Sequence, residues 1–243
     1  MEPRLKPNKN SRNLHVNVSI FRSIIGGLRY LVYTRPDIAF AIGYLSRFME
    51  EPTIEYLNTV KHLFRYIAGT RNYGCCYLKC DREVRLIGYN NSDMAGDVDD
   101  RKSTTGTLFL LGDSPILWQS QKQRIVALSS CEAKYVAAAT IACQGVWLGH
   151  LIGDLLDMKP VITIIHVDNK SAIQMCKNLV FHNRSKEIET RYHFIWEFVE
   201  EGKVLVESIG TNNQLADILT KSPGRVRFQE LRGRIRIVDT SSR

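Results

Sequence analysis

Residues 130–156 read SCEAKYVAAATIACQGVWLGHLIGDLL, and this run decides the fold class. Tyr135, Val136, Ala139, Cys143, Val146, Trp147, Ile152 and Leu155 recur at helical spacing, which predicts a helix over the whole run with these residues as its buried stripe. Ser129 ahead of it and Glu132 in its first turn fit a capping box. On the N-terminal side lie short β-prone runs at 75–78, 84–89, 105–111, 116–118 and 124–128, broken by Gly, Asp and Asn. On the C-terminal side, after Pro160, the expected order is strand 161–167, helix 171–177, helix 190–202, strand 203–209 and helix 213–221. Antiparallel-type strands, one long helix, then alternating strands and helices describe an α/β domain with a mixed sheet over 72–222.

Outside that domain the text changes character. Residues 1–18 carry Pro, Asn, Lys and Ser with few large apolar residues and read as a flexible arm. Residues 19–71 read as a small helical unit. A first helix carries Ile24, Ile25, Leu28, Leu31 and Val32, and a second opens at Pro36-Asp37 with Ile38, Ala41, Ile42 and Leu45. A third runs from about Thr53 to Ala68 with Leu57, Val60, Leu63, Phe64 and Ile67, ending at Gly69. Residues 223–243 form a basic tail, helix-like from Arg225 to Ile237.

Composition bounds the function. At 243 residues, 44% hydrophobic and 24% charged, the chain is a folding sequence with a core of ordinary size. No uninterrupted apolar run has the length of a membrane span, and the polar, basic start MEPRLKPNKNSRN lacks the apolar stretch of a cleaved secretory signal. A cytoplasmic or nuclear location without membrane attachment is therefore expected. The six cysteines show no C-x-x-C pairing, so reduced thiols are expected rather than a disulfide scaffold or zinc finger. A formal charge of +8 points mildly toward an acidic partner, nucleic acid first.

Acidic groups at strand ends and helix starts are where chemistry would gather in such a sheet. Asp168 follows the apolar strand ITIIHV, and Asn90, Asn91 and Asp93 follow LIGY. Glu132 opens the long helix, and Asp217 lies near the start of a later one. Converging on one sheet, such carboxylates would make a magnesium or manganese site able to serve phosphodiester hydrolysis. Each has a structural alternative: Glu132 as the reciprocal capping-box partner, Asp168 as the cap of the next helix, Asp217 as an acid at a positive helix end. Asp99-Asp100 and the Asn91–Lys102 segment are weak matches to a polymerase aspartate pair and a calcium loop, the latter with Lys102 where a Glu is required.

Six ordered blocks carry more. RSIIGGLRYLVYTRPDIAFAIGYLSRFMEEPT, GYNNSDMAGDVDDRKSTTG, WQSQKQRIVALSSCEAKY, VDNKSAI, RYHFIWEFVEEG and QLADILTK run through nearly the whole chain. Together they closely resemble the C-terminal end of the Pol polyprotein of copia-type LTR retrotransposons, especially plant ones. The resemblance implies that residues 20–70 are like the connection region after the reverse-transcriptase palm, and that residues 72–221 are like a ribonuclease H domain with a five-stranded mixed sheet flanked by helices. It implies four acids holding two magnesium ions to cut RNA in an RNA–DNA hybrid. It also implies a reverse-transcriptase palm supplied in trans as a further partner.

Carried over, Glu132 matches the glutamate of the family's SS-x-E-A-E-Y block, Asp168 the aspartate of V-D-N-x-S-A, and Asp217 that of L-A-D-I-L-T-K. The G-Y-S-D-x-D block here reads Gly88-Tyr89-Asn90-Asn91-Ser92-Asp93, so Asn91 stands where the leading catalytic Asp belongs and Asp93 matches the second acid. An amide brings no negative charge to a cation pair, so impaired hydrolysis is expected, with Asp93 as a partial substitute. Lys134 replaces the acid of A-E-Y, and Lys186–Phe194 has lost a His and an Asp from K-H-I-D-x-R-Y-H-F. A reading frame of this content is expected to be a relic or co-opted element fragment, acting as a weakened nuclease, a nucleic-acid-binding remnant or a protein-interaction module. In the binding reading Arg225, Arg227, Arg232 and Arg234 of the tail are the phosphate contacts, unless they form only a solvated helix face.

Overall fold

A computed structural model describes residues 14–79, 84–178 and 194–241. Most of the 1–18 arm, Cys80, the Lys186–His193 block and the start of the helix expected from 190 lie outside these residues. The helical unit consists of α1 (Val18–Leu31), α2 (Ala39–Leu45) and α3 (Ile54–Ala68), with a 3₁₀ turn at Pro36–Ile38. Asn17 caps α1 by accepting from the Ile20 N–H at 3.1 Å, and Pro36 supplies a fixed φ where the second helical segment opens. Phe21, Ile25, Leu28, Ile42, Leu45, Tyr56 and Val60 close a core of their own. Phe64, expected inside, is exposed because Tyr56, Val60 and Leu63 already fill the buried face of α3.

The main sheet contains β2 (Leu86–Ser92), β3 (Thr104–Leu111), β4 (Ser114–Lys122), β5 (Thr163–Val167) and β6 (Val204–Ser208), in the order β4-β3-β2-β5-β6. The β2, β3 and β4 strands pair antiparallel, while β5 and β6 run parallel to β2. This is the expected five-stranded mixed sheet. Residues 124–128 do not continue it: β4 pairs as far as Lys122 against Thr104, where β3 begins, so nothing remains for them to pair with. The run expected at 75–78 is β1 (Tyr73–Cys75), which leaves the main sheet and pairs antiparallel with β7 (Ile237–Asp239).

Helix α4 (Ser130–Leu156) lies across one face of the sheet, joined there by α5 (Lys170–Lys177) and α6 (Phe194–Glu200). Its packing face is set by Ala137, Ala138, Ala142 and Gly145, whose small side chains let the helix approach closely, whereas Trp147 and Leu155 face outward. Tyr135, Val136, Ala139 and Ile152 of the expected stripe are buried as expected, while Trp147 and Leu155 are not, because α4 is apolar nearly all round. By length and composition α4 could cross a bilayer, yet most of its apolar window is buried inside the protein, as for a core helix.

The other face carries Leu108 and Leu110 of β3, alternating with Phe109, which points toward α4. Against them pack Leu215, Ile218 and Leu219 of a 3₁₀ turn at Leu215–Leu219, together with Leu231 and Ile235 from α7 (Arg225–Arg234) and its following residue. In place of the regular helix expected over 213–221 stand two 3₁₀ segments. Ala39 joins this core, and Trp118 of β4 donates its indole N–H to the Val32 carbonyl at 2.8 Å, so the helical unit is seated on the sheet.

Candidate functional site

The C-terminal ends of the parallel strands β2 and β5 lie side by side, and two residues beyond their last registered pair, Tyr89 with His166, stand Asn91 and Asp168. Asn91 faces the same side as Tyr89 and is buried. Directly across on β3 is Gly106. A Cβ there would come within 2.8 Å of the Ala216 carbonyl oxygen, so only glycine lets the Leu215–Leu219 turn settle on the sheet at this point. Gln214 anchors the turn from the other side, donating to the Asn90 carbonyl at 2.9 Å and accepting from the Ala216 N–H at 3.2 Å. The outcome is a direct contact: Asn91 donates its amide to Asp217 Oδ1 at 2.6 Å and to Thr220 Oγ1 at 3.1 Å.

Each carboxylate of the expected set has a partner of its own. Asp217 also receives Lys221 Nζ at 2.9 Å, one helical turn along. Asp168, its side chain only 5% exposed, is paired with Lys134 Nζ at 2.5 Å. Asp168 does not cap α5; that task falls to Asn169, which accepts from the Ala172 N–H at 2.9 Å. Glu132 is half of a capping arrangement. Ser129 accepts from the Glu132 N–H at 3.1 Å, while Glu132 Oε2 reaches past the cap to the Leu128 N–H at 2.9 Å.

Asp93 falls just past the end of β2. Its Oδ1 accepts from the Thr104 N–H at 2.5 Å and its other oxygen lies over Gly96, so the carboxylate is folded into the 93–104 loop.

A pair of divalent ions requires several charged oxygens turned to one point. Among the described residues, no group of three or more His, Cys, Asp or Glu side chains is so arranged. The residues present do not fit such a pair. The position between β2 and the turn offers an amide whose nitrogen is committed to Asp217 and whose Oδ1 is buried without a donor. The charges of Asp168 and Asp217 are already met by lysines.

Sequence reasoning missed Gln123. Its amide nitrogen donates to Ser92 Oγ, Thr105 Oγ1 and the Ala133 carbonyl, at 3.2, 3.0 and 2.8 Å, tying the ends of β2 and β3 to the first turn of α4. Only its position just after a strand distinguishes it. Among the four tail arginines, Arg227 bonds Glu230 and the Asn212 carbonyl, and Arg234 bonds the Asn212 and Asn213 carbonyls. Arg232 stacks 4.3 Å over the Tyr73 ring and donates to the Tyr66 hydroxyl at 3.2 Å. These three fasten α7 to the body of the protein, whereas Arg225 lines a cleft beside it.

No protein-family model matches the chain. It is 42% identical over 215 residues to the retrovirus-related Pol polyprotein from transposon RE1 of Arabidopsis thaliana, covering 88% of this chain and 15% of that protein. Against the retrovirus-related Pol polyprotein from transposon TNT 1-94 of Nicotiana tabacum it is 42% identical over 211 residues, covering 86% of this chain and 16% of that one. The chain thus spans about one sixth of the length of these relatives. The N-terminal RNase H domain of a Mycobacterium tuberculosis protein, solved as a maltose-binding-protein fusion, aligns with a TM-score of 0.37 at 12% identity, covering 62% of this chain and 98% of that one. That likeness adds nothing to the strand order. On these long sequence matches the chain is similar to a segment of the Pol polyproteins of plant copia-type retrotransposons, and it folds as an α/β domain on the mixed sheet β4-β3-β2-β5-β6.

Proposed function

We propose that this segment binds RNA–DNA hybrids or related nucleic acid and cuts the RNA strand poorly or not at all. Descent from Pol polyproteins supports a ribonuclease H ancestry, in which divalent ions and four acids would serve hydrolysis. The observation that carries the loss of activity is the 2.6 Å bond from the Asn91 amide to Asp217. Where two like-charged carboxylates would need a cation between them, an amide nitrogen donates to the carboxylate and removes that repulsion. Lys134 on Asp168 acts in the same direction, since a fixed ammonium competes with any divalent ion for that carboxylate. Asp93 does not compensate while its carboxylate is held by Thr104.

The test is cleavage of a labelled RNA–DNA hybrid in magnesium and in manganese by wild type, Asn91→Asp, Asn91→Asp with Lys134→Glu, and Asp168→Asn. Wild type is expected to give no cleavage above buffer, and the double variant the largest recovery. Near-normal turnover by wild type that Asp168→Asn abolishes would overturn the proposal.

A further inference from the structure

A cleft of about 760 Å³ opens between α3, the 221–224 link and the first turns of α7. Its charged lining is one-sided. Arg65, Lys221, Arg225 and Arg232 face Asp37 alone among carboxylates, and Asp37 is already held by Arg35 at 2.8 Å and by the Tyr66 hydroxyl at 2.5 Å. Arg232 is spent on Tyr66 and Tyr73, but Arg65 and Arg225 are exposed and hold no ion pair among the described residues. Arg65 from α3 and Arg225 at the start of α7 thus bring unpaired positive charge to one cleft, which a bound anion would offset. The wall behind them is aromatic, with Phe228 and Tyr66 in edge contact at 5.6 Å between ring centres. Cations over an aromatic wall suit a phosphodiester chain whose sugars and bases need apolar contact.

The cleft also reaches the candidate site. Lys221 lines it and at the same time pairs with Asp217 at 2.9 Å. We infer that the cleft holds the sugar-phosphate backbone of a nucleic-acid strand, with Arg65 and Arg225 on its phosphates, and leads that strand to the end of β2 where Asn91 and Asp217 meet. The inference rests on the nucleic-acid reading above and names the surface that carries it. It moves the binding surface from α7 as a whole to the seam between α7 and the helical unit. A phosphate in the cleft draws Lys221 away from Asp217, so occupancy and the state of the site are linked.

The experiment measures anisotropy of a labelled RNA–DNA hybrid with the full chain over a range of salt. It compares wild type, Arg65→Gln with Arg225→Gln, and a charge-matched control, Lys159→Gln with Lys203→Gln, near the opposite ends of β5 and β6. The cleft variant is expected to bind about tenfold more weakly, with a salt slope smaller by about 2. The control is expected to match wild type. Arg65→Lys with Arg225→Lys should retain most of the affinity, which separates lost charge from lost folding.

Equal weakening by the two glutamine pairs would overturn the inference, because net charge would then explain it. So would displacement of the hybrid by inorganic phosphate as effectively as by unlabelled hybrid at matched phosphate concentration, which marks a simple anion site. If wild type binds hybrid and the cleft variant binds it equally well, the cleft assignment fails and the nucleic-acid reading stands. If wild type binds no hybrid, both fail.

Discussion

A single amide joins two elements of the fold. With Asn91, the end of β2 and the Leu215–Leu219 turn are held by a hydrogen bond to a carboxylate, at 2.6 Å, in a buried setting where such a bond is strong. Restoring an aspartate would turn that bond into a repulsion. Asn91→Asp is therefore expected to destabilise the metal-free protein by about 2 kcal/mol. Lys134→Met would leave Asp168 buried without its ammonium, at a cost of roughly 3 kcal/mol. Urea denaturation in the presence of a chelator measures both. Unchanged midpoints would mean that neither contact holds the structure, and the account of a site satisfied by internal partners would be wrong. Asn91 and Lys134 are legible in the sequence as departures from the family blocks. That Asn91 bonds Asp217 and Lys134 pairs with Asp168 is not, because Asn91 and Asp217 are 126 residues apart and meet only through the fold.

Among the elements, the Leu215–Leu219 turn shows how packing outvotes local pattern. LADIL reads as helix, but its Leu215, Ile218 and Leu219 must all reach the face bearing Leu108 and Leu110, and the backbone tightens into 3₁₀ geometry over Gly106. Gly106→Ala would set a Cβ 2.8 Å from the Ala216 carbonyl, a backbone atom that no rotamer change can move. A loss of about 1–3 kcal/mol is expected, typical of overpacking. Gly210→Ala, where the added carbon meets nothing within 4 Å, is expected to be neutral in the same melts. Equal effects would show that the turn is not pressed against β3.

The central strands are readable because β-prone runs and turn residues alternate there. The ends are not: the reach of β4 depends on where β3 starts, and β1 finds its partner 162 residues later at β7, with Cys75 opposite Ile237. The candidate acids are likewise readable one by one. Whether Glu132 caps or coordinates is not, since its Oε2 reaches Leu128, a choice set by three-dimensional placement.

At the scale of the molecule, the helical unit and the sheet are joined by contacts both apolar and charged. Ala39 shares a core with Leu108, Leu231 and Ile237, and Trp118 bonds Val32. Asp97, in the 93–104 loop, joins Arg47 of the helical unit at 3.2 Å to Lys122 of β4 at 2.6 Å. Burial opposes the ionised form of Asp97, but the bond from Lys122 and the N–H groups of Asp99 and Asp100 outweigh it, bringing the carboxyl down to about 2 from an ordinary 3.8. A carboxyl with a depressed folded pKa stabilises the native state fully above its unfolded value and loses that contribution as pH falls toward the folded one. Two outcomes follow. At neutral pH, tryptophan fluorescence and far-ultraviolet circular dichroism should report one coincident urea transition, and two separated transitions would mean that the units fold independently. Between pH 4 and pH 2 the midpoint should fall more steeply in wild type than in Asp97→Asn, which cannot titrate there. Parallel slopes in that window would show that Asp97 does not bind the two units together, leaving the apolar seam beneath Ala39 and Trp118 as their main attachment.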